Sequence, residues 1–336
     1  MIIREGKTSR ILHMNNKFDL ISFSKFFSFS IVFLTLNYFF NIILTNFFNW
    51  PGSIAFLKSL ISNEQALVGF SFFLSSFQFI SYFLCIFGVY YYLTKINKSN
   101  LKENSQKLSN LSSYITRSAF WTVFLVGLVD LVISFLVSEK AILDTLPKGL
   151  AQLFLQPKSR ILYVHLPLTI FSFIYSIKNK SIGFIWLALL VVFAEALIVI
   201  SRFVFSYEQA FMGDLVRYWY AALFLFGSAY TLLKDGHVRV DILYVNFKEK
   251  NKAIANILGS IFFGMPICFL ILYSGMGSKT GIINAPILSF EISQQAQAGL
   301  YLKYMMASFL TIFALSMIIQ FSSLILDNIE KIRSKK

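Results

Sequence analysis

Charge is scarce in this chain. Charged residues make up 14% of its 336 residues, whereas an ordinary soluble domain carries about a quarter. Hydrophobic residues make up 57%, and several stretches nearly free of charge reach the roughly 20 residues that a helix needs to cross a bilayer. The composition therefore excludes a soluble globular protein and predicts an all-α integral membrane protein in a lipid bilayer.

Cysteine is also rare, and catalytic motifs are missing. Cys85 and Cys268 both lie in apolar stretches, so we expect no disulfide framework and no cysteine metal site. His13, His165 and His237 fall in a tail, a span and a loop, which argues against a haem held by two histidines. The sequence has no phosphate-binding loop, zinc-protease motif or nucleophile elbow. We therefore predict no enzyme activity, no cofactor and no metal.

Hydropathy predicts about eight transmembrane helices. They cover residues 27–48, 66–93, 118–137, 161–177, 183–206, 215–233, 253–276 and 304–326. With a cytoplasmic N-terminus, 21 of the 30 Lys and Arg residues lie on the cytoplasmic side. The positive-inside rule therefore predicts an N-in, C-in protein and explains the net charge of +14 without nucleic acid. The basic exterior loop 138–160 departs from the rule, and an interfacial or re-entrant segment is expected there. The N-terminus lacks the pattern of a removable signal peptide.

Four ionisable residues lie within the predicted spans, where such residues are costly and are candidates for function. They are Asp130, His165, Glu195 and Arg202. Glu195 and Arg202 are seven residues apart, so they share a helix face to within about 20°. This face is either a coupling-ion or substrate site or a packing and subunit-docking face, and we favour the second interpretation.

A polar stretch, Lys234 to Asp241, interrupts the apolar second half of the chain. Gly236 can adopt positive φ and turn the chain sharply at the membrane surface. Beyond it, polar and apolar residues alternate through HVRVDI, so one side can meet headgroups and the other water or a partner. The pattern predicts a structured cytoplasmic elbow between two membrane hairpins, ordered by Lys234, Asp235, Gly236, His237, Arg239 and Asp241.

The residues from about 184 to 326 resemble the small membrane subunit (DctQ-like) of tripartite ATP-independent periplasmic (TRAP) transporters. The most specific motif is AYTLLKDGHVRVDILY, which is similar to the family's elbow between its second and third helices. MGDLVRYWY after an exterior loop, and the basic FKEKNK before the third helix, follow the family's order. The resemblance divides the chain into a membrane extension of about four helices, residues 1–180, and a four-helix small-permease domain, residues 181–336.

The resemblance implies a small permease subunit in a bacterial inner membrane. Relatives of this kind pair with a large permease subunit that carries the substrate and sodium sites. A periplasmic solute-binding protein delivers an organic acid, typically a carboxylate. The small subunit is expected to be a scaffold, and Arg202, Glu208, Asp214 and Arg217 are candidates for the subunit or binding-protein interface.

Other functions remain open from the residues alone. An autonomous carrier or channel would use Asp130, His165, Glu195 and Arg202, and would be supported by an internal repeat or a broken helix pair, neither of which is evident. A membrane enzyme would need acids or histidines clustered at one depth. A sensory module would need a cytoplasmic signalling domain, but the longest predicted cytoplasmic segments have only about two dozen residues.

Overall fold

The computed structural model describes residues 3–61, 67–142, 146–180, 184–207, 210–233, 244–292 and 300–334. Every regular element within these ranges is helical, which confirms the predicted fold class. The helices are α1 (Ile3–Phe47), α2 (Ser53–Ile61), α3 (Phe70–Tyr91), α4 (Leu101–Ser138), α5 (Lys148–Leu155), α6 (Pro157–Arg160), α7 (Leu166–Lys178), α8 (Phe184–Phe205), α9 (Ala210–Leu233), α10 (Glu249–Gly259), α11 (Met265–Met276), α12 (Asn284–Leu288) and α13 (Lys303–Ser334).

Three π-helical segments of five residues adjoin these helices. Tyr92–Ile96 extends α3, Ile161–His165 joins α6 to α7, and Ser260–Gly264 joins α10 to α11. A proline follows the second and third segments, at Pro167 and Pro266. A proline ring clashes with the carbonyl group four residues earlier in a regular helix. That carbonyl lies inside the π segment in both cases, so a wider helical turn coincides with the place where the clash would occur.

Seven helical segments are long and apolar enough to cross a membrane, as counted over the described residues. They coincide with seven of the eight predicted spans. The eighth, residues 215–233, lies in α9, a helix of 24 residues that carries Asp214, Arg217 and several aromatic residues. One face of α9 is buried along the whole helix, through Phe211, Leu215, Tyr218, Trp219, Ala222, Phe226 and Ala229. A helix with one face buried along its length does not need the uniformly apolar surface of one that faces lipid all round.

The chain forms two compact units. Unit 1 comprises Met1–Leu111, Val238–Phe269 and Met317–Lys336, and unit 2 comprises Ser112–His237 and Leu270–Ser316. Each unit takes segments from both sides of residue 180. The two packing units therefore do not coincide with the predicted domains 1–180 and 181–336. The boundary near residue 180 stays a prediction from the sequence.

Polar side chains join α1 to α3 within unit 1. Gln78 of α3 is fully buried and accepts the Gly52 N–H at 2.9 Å. Its amide nitrogen donates to the Asn41 carbonyl at 3.3 Å and the Thr45 hydroxyl at 3.1 Å. Ser75 donates to the Gly52 carbonyl at 2.6 Å. The amides of Asn37 and Asn41 also donate to the Ser81 hydroxyl, at 3.0 and 3.1 Å. The Ser- and Asn-rich composition of the first spans thus supplies interhelical hydrogen bonds, which replace part of the hydrophobic driving force that lipid does not provide.

The core of unit 2 surrounds α9. Trp219 is completely buried, and its indole N–H lies 3.4 Å from the Val123 carbonyl of α4. Gly127, one turn further along α4, leaves room for the indole ring. A Cβ atom at Gly127 would lie 2.7 Å from Trp219 Nε1, which is closer than real Cβ contacts allow. Glycine at this position is therefore a packing requirement.

We predict that Gly127→Ala destabilises the protein by about 1–3 kcal/mol, because the added methyl group overpacks a rigid aromatic contact. The matched control is Gly149→Ala in α5, where an added Cβ meets no atom within 4 Å. Thermal unfolding of both purified variants in one detergent checks this expectation. Equal melting temperatures for the two variants would show that Trp219 moves aside without cost.

Candidate functional site: the Asp130 cluster

Asp130 of α4, Arg160 of α6 and His165 of the following π segment form the centre of a buried cluster in unit 2. Arg160 Nη2 lies 2.5 Å from Asp130 Oδ1, and His165 Nε2 lies 2.9 Å from the same oxygen. All three side chains have no exposed surface. We name this group, together with Tyr301 and Tyr304, the Asp130 cluster.

The π segment explains how Arg160 and His165 reach one carboxylate. Two residues five apart in an α-helix point about 140° away from each other. In a π-helical turn, hydrogen bonds run between residues five apart, so such residues lie above one another on one face. The Leu166 N–H donates to the Ile161 carbonyl in this pattern. The widened turn ahead of Pro167 therefore aligns Arg160 with His165.

Tyr301 and Tyr304 complete the hydrogen bonding from the chain segment around the start of α13. The Tyr301 N–H donates to Asp130 Oδ2 at 2.9 Å, and the Tyr304 hydroxyl lies 3.0 Å from His165 Nδ1. Because an ionised carboxylate only accepts hydrogen bonds, His165 Nε2 is the donor to Asp130. The Tyr304 hydroxyl is the partner of Nδ1. Both nitrogens of the imidazole therefore have a hydrogen-bond partner within the protein.

Arg160 carries the cation that balances Asp130. Its Nη2 also approaches the Asp130 carbonyl at 2.8 Å and the Ser134 hydroxyl at 2.7 Å. The guanidinium carbon lies 4.3 Å from the centre of the Tyr301 ring, within the range of a cation–π interaction. Nε and Nη1 have no hydrogen-bond partner among the described residues. The Tyr301 ring therefore stabilises a guanidinium group whose hydrogen bonds to the described residues are incomplete.

Tyr301 lies just outside the apolar span of α13 and closes the cluster on that side. Its hydroxyl donates to the Leu155 carbonyl at 3.0 Å. Burial is the largest influence on the pKa of Tyr301 and raises it, Arg160 lowers this pKa, and Asp130 raises it. The net direction is upward, so the phenol stays protonated and remains a hydrogen-bond donor at neutral pH.

The cluster has the chemistry of a structural connection. Both Asp130 oxygens and both His165 nitrogens are engaged by protein groups, and neither side chain is open to solvent. Asp130, Arg160 and His165 precede residue 180, whereas Tyr301 and Tyr304 follow it. The cluster therefore fastens the segment around α4 to α7 onto the start of α13 within unit 2.

The other two predicted intramembrane residues do not join this cluster. Glu195 and Arg202 are both exposed on α8. Glu195 makes no hydrogen bond or ion pair with any described residue. The set proposed for an autonomous carrier is thus divided between two buried residues, Asp130 and His165, whose polar groups are engaged within the cluster, and two exposed residues of α8.

Sequence reasoning missed Arg160, Tyr301 and Tyr304. Arg160 follows Pro157 and Lys158 and was assigned to the exterior loop 138–160 as a topology-determining charge. The loop owes its basic character to Lys140, Lys148, Lys158 and Arg160, and the structure buries the last of these instead of exposing it. The sequence did contain a signal for this contact. Arg160 lies five residues before His165, and the preceding predicted span contains a single acidic residue, Asp130.

The remaining predicted interface residues lie at the start of α9 or outside the described part of the chain. Asp214 is 7% exposed and lies 3.8 Å from the exposed Arg217, one turn later. Glu208 lies outside the described residues. So do all six elbow residues: Lys234, Asp235, Gly236, His237, Arg239 and Asp241.

The helices define a polytopic all-α membrane protein, and a family comparison gives a more particular assignment. Residues 184–329 match the family described as tripartite ATP-independent periplasmic transporters, DctQ component. The chain therefore carries a DctQ domain, the small permease component of a TRAP transporter, which confirms the resemblance found in the sequence. The family of this domain consists of transporter components, a kind of protein that is not an enzyme. Neither the curated proteins nor the solved structures searched contain a match to the chain.

We predict that Asp130→Asn destabilises the protein by about 3–5 kcal/mol, because Arg160 then stays buried without a counter-charge. Asp130→Leu combined with Arg160→Met should recover much of this loss, since removing both charges also removes the cost of burying them. Thermal unfolding in detergent, with all variants compared in the same micelles, measures both effects.

The matched control for this series is Glu249→Gln, which removes an exposed carboxylate 3.4 Å from Lys252. An exposed pair of this kind contributes at most about 1 kcal/mol. If Asp130→Asn costs no more than Glu249→Gln, or if the double variant is as unstable as the single one, the ion pair does not hold this part of the protein together.

Proposed function

We propose that the chain is the small permease subunit of a TRAP-type secondary transporter in a bacterial inner membrane. In this proposal it scaffolds a large permease subunit that takes up an organic acid, a carboxylate, together with sodium, after delivery by a periplasmic solute-binding protein. The DctQ domain at residues 184–329 supports the transporter class. The sodium coupling, the substrate class and the scaffolding role are parts of the proposal.

The observation that carries the scaffolding role is the exposed face of α8. Glu195 lies near the middle of this span, and Val192, Val199 and Phe203 on the same side of the helix are 52–79% exposed. An ionisable side chain at membrane depth almost always faces protein or a water-filled cavity and not lipid. Because no described residue of this chain partners Glu195, a polar group of another subunit is the expected partner.

The remaining interface candidates extend this proposal. Arg202 lies on the same face of α8, two turns from Glu195, and Asp214 and Arg217 lie at the start of α9. Together with Glu208 they would contact the large subunit or the docked binding protein on the exterior side. The elbow around Gly236 would order the cytoplasmic connection between the two hairpins of the DctQ domain.

We propose a role in assembly for the extension, residues 1–180, as well. The Asp130 cluster gives this role a physical basis, because residues from both sides of the boundary share one buried charge pair and its hydrogen bonds. The extension would then be a fixed part of the scaffold and not a separate module that moves substrate.

A photo-crosslinking amino acid at position 199, one turn from Glu195, tests the docking face. Irradiation of native membranes should join this chain to a larger polytopic protein. Glu195→Leu in the same background should lower the yield about tenfold or more, because a hydrogen bond to a charged group contributes about 1.5–3 kcal/mol.

Val192→Leu, on the same face but without a change in polarity, is the control and should leave the yield unchanged. Adducts with lipid alone would contradict the docking face. Equal protein adducts with and without Glu195 would instead keep the face but remove the role of the carboxylate.

A further inference from the structure

Unit 1 contains a basic cavity that the proposed transport function does not use. Its volume is about 710 Å³, which is within the range of small-molecule sites. It is lined by residues 21–26 of α1, by the end of α3 with the segment leading to α4, and by Arg333 near the end of α13. Three lining residues are cationic, Lys25, Lys98 and Arg333, and none of the described lining residues is acidic.

The charges around the cavity favour an anion. Lys25 donates to the Ser99 carbonyl at 2.6 Å, which fixes its ammonium group at the cavity, and Lys98 is exposed. Arg333 Nη1 lies 3.6 Å from Glu330 Oε2. Glu330 and Glu103 are both close enough to Lys25 to attract its ammonium group electrostatically. Neither acid lines the cavity, so positive charge is in excess among its described lining residues.

The apolar part of the wall indicates an amphipathic ligand. Phe23, Phe26 and Leu93 line the cavity, and Phe23 is 64% exposed. These residues lie near the ends of two candidate membrane spans, Ile21–Phe47 and Phe70–Ile96. A fully soluble anion would leave this aromatic surface unused, whereas a lipid would cover it with its glycerol and acyl region.

The three parts of the chain that line the cavity lie in or next to segments that the charge distribution assigns to the cytoplasmic side. The cavity therefore lies at the level of the cytoplasmic headgroups in the predicted orientation. We propose that it binds the headgroup of an anionic phospholipid from the cytoplasmic leaflet. Lys25, Lys98 and Arg333 surround the phosphate, and Phe23, Phe26 and Leu93 contact the adjoining apolar part, in the manner of basic pockets between transmembrane helices.

Native mass spectrometry of the full-length chain, with any partner that purifies with it, tests this site. The protein is released from mixed micelles that contain equal amounts of phosphatidylglycerol and phosphatidylcholine. We expect preferential retention of phosphatidylglycerol. Lys98→Glu should lower the retained ratio of the two lipids roughly tenfold, because the variant changes the local charge by two units.

Lys95→Glu is the matched control, since Lys95 is also exposed but does not line the cavity. It should change the ratio less than Lys98→Glu does. Equal retention of the two lipids by the unaltered chain, or an equal loss in both variants, would overturn the proposal. Displacement of phosphatidylglycerol by millimolar glycerol 3-phosphate would also overturn it, because the site would then recognise a soluble anion.

Discussion

Pairing of polar groups away from water is the constraint on which this structure depends. Within unit 2, Asp130 and Arg160 lie in a region without exposed surface, and each would be costly to bury alone. Their contact pairs the two charged groups, and His165, Tyr301 and Tyr304 complete the hydrogen bonds. In unit 1 the buried polar groups are paired by neutral side chains. Gln78 accepts a hydrogen bond from the Gly52 N–H after α1 and donates to the Asn41 carbonyl and the Thr45 hydroxyl of that helix. Folding and helix packing are thus tied to specific polar contacts as well as to apolar area.

The need to pair polar groups away from water also bears on Glu195 of α8. The chain provides partners for the acid in α4 but leaves Glu195 exposed in the most lipid-like of its helices. In the proposed assembly, a polar group of another subunit pairs with Glu195. Asp130, Arg160 and His165, all before residue 180, lie in the same unit as α8, which is the packing on which the proposed assembly role of the extension rests.

Most of the helices could be predicted because a segment that crosses a bilayer needs about 20 apolar residues, and the hydropathy of the sequence shows such segments. α9 was the least apolar of the predicted spans because much of its surface is enclosed by protein. Asp130 and His165 could be selected as ionisable residues in apolar surroundings, but their contact could not. It depends on the π-helical turn before Pro167, which rotates Arg160 and His165 onto one face, and on Tyr304, nearly 140 residues away. Neither long-range pairing nor helical register is encoded in local composition.

In the proposed function, this chain acts as one subunit of a larger transporter. The decisive measurement is affinity purification from native membranes in a mild detergent, followed by mass spectrometry of the co-purifying proteins. A stoichiometric, larger polytopic partner is expected. If the chain instead purifies alone and moves solute across liposome membranes without a partner, it is not a scaffold subunit.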